Sequence, residues 1–376
     1  IYRRTQEITN FAQELSEEIV DGVNQSTDDL FDESIENEEQ APVVKLLNSL
    51  FRDAIQARAS DIHIEPDEES LRIRFRIDGI LHENILSDKR IVSALIQRLK
   101  LRANLDIAEK RIPQDGRFNF ISKGQSFDVR VSTLPISHGE AVVMRLLNQS
   151  STIADLDSLG IPAPIVRRLE NIYTKPTGML LVTGPTGSGK TTTLYSILNK
   201  LNTPERKILT VEDPVEYRIS RINQVQVNPK IDLTFARVLR AMLRQDPDVI
   251  MVGEIRDNET AQIALRAAIT GHFVLATLHT NDAITTAIRL IDMGLEGYMV
   301  AAAVKGIIGQ RLIRMLCNNC TTTAKPNVSE LMWLEDMKID SNQPFKIGAG
   351  CSYCNYHGYV GRMGIHELLE LDKDML

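Results

Sequence analysis

The chain has 376 residues, enough for two domains, and its 43% apolar and 25% charged residues are the mix of an ordinary globular protein. No run of about 18 apolar residues marks a membrane span. The net charge of −7 is unevenly placed: residues 1–40 hold twelve Asp/Glu against two Lys/Arg, so the rest is nearly neutral and offers no broad basic footprint for nucleic acid.

In chain order, residues 1–40 read as an acidic, solvated linker. Residues 43–58 carry apolar positions at helical spacing, and ASDIHIEP is a short alternating strand. In LRIRFRID, Leu71, Ile73, Phe75 and Ile77 alternate with Arg72, Arg74, Arg76 and Asp78, so three arginines share one strand face. Residues 91–103 look helical, and RFNFIS, FDVRVSTLP and EAVVMRLL look like strands joined by Gly-containing turns. Residues 41–148 are therefore expected to form a small α/β domain with mostly antiparallel strands. Ser, Asp and Pro in 149–160 suggest a hinge. MLLVT, ILTV, DVIMV and FVLAT are continuous apolar runs between helical segments, which predicts a doubly wound parallel sheet over 161–316. A cysteine-bearing segment, 317–358, follows, and 359–376 is expected to enter a helix. The chain opens on Ile1 and stops at Leu376, which reads as a piece of a longer protein, and no signal-peptide pattern opens this piece.

GPTGSGKT, Gly184 to Thr191, fits the phosphate-binding pattern G-x-x-x-x-G-K-[ST] between an apolar strand and an amphipathic helix. Glycines let the backbone wrap an anion, and the loop amides with the helix N-terminus supply donors. Gly184, Pro185, Thr186, Gly187, Ser188, Gly189, Lys190, Thr191 and Thr192 are the candidate nucleotide-binding residues. Lys190 would reach the β/γ-phosphates of ATP and Thr191 would ligate Mg²⁺. The partner acid should follow another apolar strand. DPDVIMVGE has Gly253 where many P-loop proteins have Asp, which leaves Glu254 to orient water or hold the magnesium shell. Glu212, Asp213 and Glu216 form a second acidic cluster after ILTV. A carboxylate at the carboxyl end of a parallel strand lies on the ligand side of such sheets. His272 and His279 bracket FVLAT and are candidate γ-phosphate sensors, although single histidines are more often packed or surface residues. Cys317-x-x-Cys320 and Cys351-x-x-Cys354 have zinc-site spacing. A disulfide pair is the alternative.

Together these segments resemble the secretion-motor ATPase family of type IV pilus assembly and type II secretion. GPTGSGKT resembles its Walker A box, LTVEDPVEY its Asp box, RQDPDVIMVGEIRD its atypical Walker B box and TGHFVLATLHTNDA its His box. SDIHIEP, RFRIDG, LDIAEKRIPQDGR and VSTLPISHGE are similar to its second N-terminal domain. The resemblance covers residues 41–376. It implies a PAS-like α/β domain before a RecA-like P-loop ATPase domain with a four-Cys zinc subdomain. It also implies a homohexameric ring, docked on the cytoplasmic side of an inner-membrane platform protein, in which the N-terminal domain moves against the ATPase domain. The four cysteines resemble assembly and secretion motors rather than retraction motors. LHTNDAITTAIRLIDMG and GYVGRMGIHELLELD look most like MSHA-type pilus assembly ATPases, with type II secretion ATPases as the runner-up. Arg74 matches an N-terminal-domain arginine that the family uses on phosphate, with Lys89 or Arg90 near a second such position. Arg240 and Arg244 match arginines that it places near the nucleotide.

Two rival readings remain at this point. A nucleic-acid motor would share the P-loop sheet, but the acidic balance and the lack of an aromatic-studded basic channel oppose it. A non-hydrolysing nucleotide-gated scaffold is opposed by the intact set of Lys190, Thr191, Glu212 and Glu254.

Overall fold

The computed structural model describes residues 42–86, 91–148, 155–340 and 343–371. The acidic linker, Lys89, Arg90 and the first half of the expected hinge lie outside the described residues. The chain divides into two compact units. One is drawn from Ile1–Ser151 with Met315–Gly361, the other from Thr152–Arg314 with Arg362–Leu376.

The first unit is built on a six-stranded sheet in the order β3-β2-β1-β6-β5-β4. The strands are β1 (Ala59–Pro66), β2 (Leu71–Ile77), β3 (Ile80–Leu86), β4 (Gln114–Ser122), β5 (Gln125–Ile136) and β6 (Gly139–Asn148), and every neighbouring pair is antiparallel. Helices α1 (Pro42–Gln56) and α2 (Ile91–Arg102) cover one face. The period-two pattern of β2 is realised: Leu71, Ile73 and Phe75 are buried and the arginines stand on the other face. Phe51 of α1 packs edge-on against Phe118 and tilted against Phe120, at ring distances of 5.8 and 4.9 Å. Inside this unit Lys100 pairs with Glu140 at 2.5 Å, both nearly inaccessible. Removing one partner of such a pair costs about 3–5 kcal/mol, because it strands a buried charge.

The second unit carries a seven-stranded sheet in the order β15-β12-β7-β11-β10-β8-β9. Its strands are β7 (Gly178–Thr183), β8 (Ile208–Glu212), β9 (Asn223–Gln226), β10 (Val249–Val252), β11 (Phe273–Leu278), β12 (Val304–Leu316) and β15 (Tyr359–Glu370). From β12 to β9 all neighbours are parallel. Every residue of β7 is buried, as expected for a central strand covered on both faces. Met179 and Leu181 point into one core and Leu180 and Val182 into the other. Helices α3 (Ala163–Tyr173) and α4 (Lys190–Leu201) close the second of these cores. Helices α5 (Phe235–Met242), α6 (Asn258–Ile269), α7 (Ala283–Asp292) and α8 (Gly297–Ala303) close the first. Thr234, Asp257 and Asp282 cap α5, α6 and α7 through their side-chain oxygens.

The stretch from residue 359, expected to enter a helix, is instead strand β15 beside β12. Gly361 and Gly364 lower its helical propensity, and β12 offers an edge to pair with. Adjacent Leu368 and Leu369 then reach opposite faces of the sheet, one against each core, which only a strand allows. The cysteine segment adds β13 (Thr321–Ala324), α9 (Val328–Asp336) and β14 (Phe345–Gly348), with β13 and β14 antiparallel. It joins the first unit: Gly361 N donates to Asp78 Oδ2 at 2.9 Å, and the rings of His82 and His357 lie 4.0 Å apart.

Candidate nucleotide site and four-cysteine centre

The phosphate loop leaves the carboxyl end of β7 and runs into α4. Gly184, Gly187 and Gly189 hold φ values of +145°, +79° and +87°, a region that favours glycine. A Cβ on Gly184 would lie 2.3 Å from the Gln310 carbonyl oxygen, whereas a Cβ on Gly187 would point into open space. Lys190 is buried, and its Nζ donates to Gly184 O at 2.7 Å and Pro185 O at 3.2 Å. Burial lowers its pKa, with the charge of Glu254 acting in the opposite direction. Ser188 is buried and its Oγ has no hydrogen-bond partner. A loop with an orphaned hydroxyl, open space beside Gly187 and a buried cation held mainly by the loop's own carbonyls fits a polyphosphate. Thr186, Thr191 and Thr192 are exposed beside it.

Glu254 follows β10, as the sequence suggests. Its Oε2 lies 3.2 Å from His279 Nε2, and its Oε1 pairs with Arg256. His279 Nδ1 lies 3.4 Å from Lys190 Nζ. Lys190, His279 and Glu254 thus form one line across the ends of β7, β11 and β10. Arg256 continues it to Asp213 at 3.3 Å, beyond β8. Gly253 packs closely on β8: a Cβ there would stand 3.2 Å from Glu212 Cα and Val211 O, so a larger residue would need the β8 backbone to give by a few tenths of an ångström.

Glu212 ends β8, at the carboxyl end of a parallel strand as the sequence suggests. It is buried, and its Oε1 accepts from Thr210 Oγ1 at 2.6 Å and Gln224 Nε2 at 3.1 Å. Its Oε2 accepts from the Tyr195 hydroxyl. Burial, then the charge of Glu212, raises the Tyr195 pKa, so the phenol stays a donor. This network braces α4 against β8 and β9.

The structure does not bring His272 to the cluster. It stands before β11, and its Nδ1 lies 3.1 Å from Ala267 O. The strand's rise puts it about 20 Å from His279. Arg240, on the exposed face of α5, pairs with Glu259 at 2.5 Å, and Arg244, exposed just beyond the end of that helix, donates to Arg240 O at 2.9 Å. In the first unit Arg74 pairs with Glu65 at 2.6 Å, Arg72 with Asp67 at 3.0 Å and Arg76 with Asp61 at 3.6 Å, so acidic partners occupy the arginine face.

Two residues at the nucleotide site escaped the sequence reading. Arg256 sits inside GEIRD, and Gln310 interrupts the apolar run VKGIIGQRLI. A polar residue in a strand otherwise fit for the core was the available signal for Gln310.

Cys317, Cys320, Cys351 and Cys354 gather with all four Sγ atoms within 4.8 Å of one another, and none is paired in a disulfide. The separations Cys317–Cys351, Cys320–Cys354 and Cys351–Cys354 are 3.8, 3.8 and 3.7 Å. A tetrahedral Zn²⁺ with Zn–S of ~2.3 Å requires an edge of ~3.8 Å. Backbone amides of Gly350, Cys351 and Gly358 point at Sγ atoms from 3.2–3.3 Å and favour thiolates. The donor set fits one structural zinc.

The sequence profile of the family described as Type II/IV secretion system protein matches residues 36–376. The chain belongs to that family. Type II secretion system protein E of Dickeya dadantii (strain 3937) is 50% identical over 358 residues, covering 95% of this chain and 70% of the relative. Type II secretion system ATPase E of Vibrio cholerae serotype O1 is 48% identical over 364 residues, covering 94% and 72%. Among solved structures, the pilus retraction motor PilT with bound ADP is 32% identical, with a TM-score of 0.54 over 72% of this chain and 80% of that one. The ATPase DotB of Legionella pneumophila shares the fold at a TM-score of 0.61, with 24% identity over 88% and 82%. As a member of the Type II/IV family, the chain is a P-loop ATPase with a RecA-like α/β fold. No helix among the described residues is long and apolar enough to cross a membrane.

Proposed function

We propose that this chain is the motor ATPase of a type II secretion machine, hydrolysing ATP to ADP and phosphate to drive protein export. What supports the choice of machine is the pair of relatives named for type II secretion, about half identical over more than nine-tenths of the chain. That similarity favours the runner-up of the sequence reading over MSHA-type pilus assembly, whose boxes are the same.

The site residues take these roles. The loop from Gly184 to Gly189 presents amides to the phosphates. Lys190 leaves its loop carbonyls for the β/γ-phosphates, and Thr191 would complete the shell of Mg²⁺, whose charge offsets that of the phosphates. Glu254 orients the attacking water and His279 holds it in line with Lys190. Glu212 braces the floor of the site. The working form is a homohexamer on the cytoplasmic side of the inner membrane, held there by a platform protein.

The test is Lys190→Ala, placed in the native host and purified in parallel. The purified variant should keep its circular dichroism spectrum and lose turnover. In the host, exported proteins should accumulate behind the outer membrane while pili assemble normally. Loss of a fibre with export intact would reverse the choice of machine, and near-normal hydrolysis by the folded variant would remove the P-loop from the chemistry.

A further inference from the structure

Ser188 and Gly189 share a peptide bond at the turn of the phosphate loop, and a side chain from another strand holds that bond. Gln310 lies on β12, next to β7, where Gly309 pairs with Thr183. It is 3% exposed. Its Nε2 donates to Ser188 O at 2.7 Å, and its Oε1 accepts from Thr193 Oγ1 on α4 at 2.8 Å. The two partners fix which end of the amide faces the loop, since a carbonyl oxygen can only accept and the Thr193 hydroxyl donates to the other end.

We propose that Gln310 is a positioning residue of the nucleotide site: it holds the Ser188 carbonyl away from the anion cradle and so turns the Gly189 amide toward the phosphates. The C=O and N–H of a trans peptide point in opposite directions, so pinning one aims the other. An anion cradle needs N–H groups inward, and a carbonyl facing phosphate would repel it. The need for an outside clamp comes from the sequence. Gly187 and Gly189 flank this stretch at φ of +79° and +87°. Glycine has almost no preference of its own between peptide orientations. Without Gln310 the buried Ser188 carbonyl loses its donor, and flipping becomes its route to another. Thr193 locks the clamp to the helix whose N-terminus faces the same anion. The proposal rests on the reading of this loop as an ATP site.

The experiment uses the full chain and two readouts, Mg·ADP affinity by calorimetry and melting temperature without nucleotide, with KM and kcat for ATP measured alongside. Gln310→Met keeps length and removes both hydrogen bonds. It is expected to weaken Mg·ADP binding and raise KM by about tenfold or more, the scale of one hydrogen bond to a charged group. The kcat at saturation should stay within about threefold. Thr193→Val should shift affinity the same way, and Thr193→Ser, which keeps the hydroxyl, should restore it. A folded Gln310→Met that binds Mg·ADP within about twofold of wild type overturns the proposal, because a residue that merely fills the core would move only the melting temperature. Should Gln310→Met fail to fold, the Thr193 pair decides: weakened binding in Val with recovery in Ser supports the clamp, and wild-type affinity in Val overturns it. A wild-type chain that does not bind Mg·ADP removes the ATP-site reading itself, a result distinct from the variants' failure.

Discussion

Glu254 Oε2 faces His279 Nε2 at 3.2 Å, and the far nitrogen of the same ring stands 3.4 Å from Lys190 Nζ. The imidazole therefore couples the carboxylate after β10 to the lysine of the phosphate loop. The arrangement is satisfied when Nε2 carries the proton and Nδ1 accepts from the ammonium.

Glu254→Gln keeps the shape of that contact and removes the charge that polarises water. Losing a positioned general base costs about 10²–10⁴ in rate. The variant is expected to bind Mg·ATP and to slow hydrolysis by at least about a hundredfold. Turnover within about tenfold of wild type would shift the role to another carboxylate. Glu212 is a poor replacement, because three donors already occupy its two oxygens. Steady-state turnover and equilibrium binding of Glu254→Gln and Glu212→Gln separate these roles.

Much of this was legible in the sequence, for physical reasons. A strand covered on both faces must be apolar throughout, so MLLVT and DVIMV announced β7 and β10 and placed Lys190 and Glu254 at their carboxyl ends. The cysteines were legible because two knuckles at that spacing have few other uses. Strand β15 was not. GYVGRMGIHELLELD has leucines that suit a helix, and only the free edge of β12, a tertiary feature, decides between the two. The bond from Gln310 to Ser188 spans 122 residues, and local pattern carries no record of it. His272 and His279 looked equivalent because they bracket one strand, yet a strand separates its ends, so only one of them reaches the site.

The four cysteines make a separate prediction. Purified protein should contain one zinc per chain, with all four thiols protected from alkylation until a chelator is added. The role is structural, since four sulfur ligands leave no open position for substrate. Trp333, the single tryptophan of the chain, lies on α9 between the two cysteine pairs, so its emission should shift on chelation. Mg·ADP binding should change by less than about threefold on chelation. Metal-free protein with the cysteines joined as cystines would refute the assignment.

The arginine face of β2 admits two readings, and the size of one mutational effect separates them. In this structure Arg74 is committed to Glu65 at 2.6 Å, with the pair about one-quarter exposed. If that is its whole role, Arg74→Ala loses an ion pair of a kind worth about 0–1 kcal/mol at a surface, and turnover barely changes. If the guanidinium serves the transferring phosphoryl group, as its position in RFRIDG implies by resemblance, its loss removes transition-state stabilisation of about 10³-fold or more. The expected outcome is the second: Arg74→Ala hydrolyses ATP at least about tenfold more slowly, a barrier increase of about 1.4 kcal/mol, without unfolding. Arg74→Lys should recover little, because an ammonium cannot reproduce the two-pronged contact of a guanidinium with phosphate. Glu65→Gln is the internal control. It breaks the same ion pair and leaves the arginine in place, so it should keep turnover within about threefold of wild type. Equal losses in Arg74→Ala and Glu65→Gln would mean that the pair itself matters and that Arg74 is a structural residue of the strand.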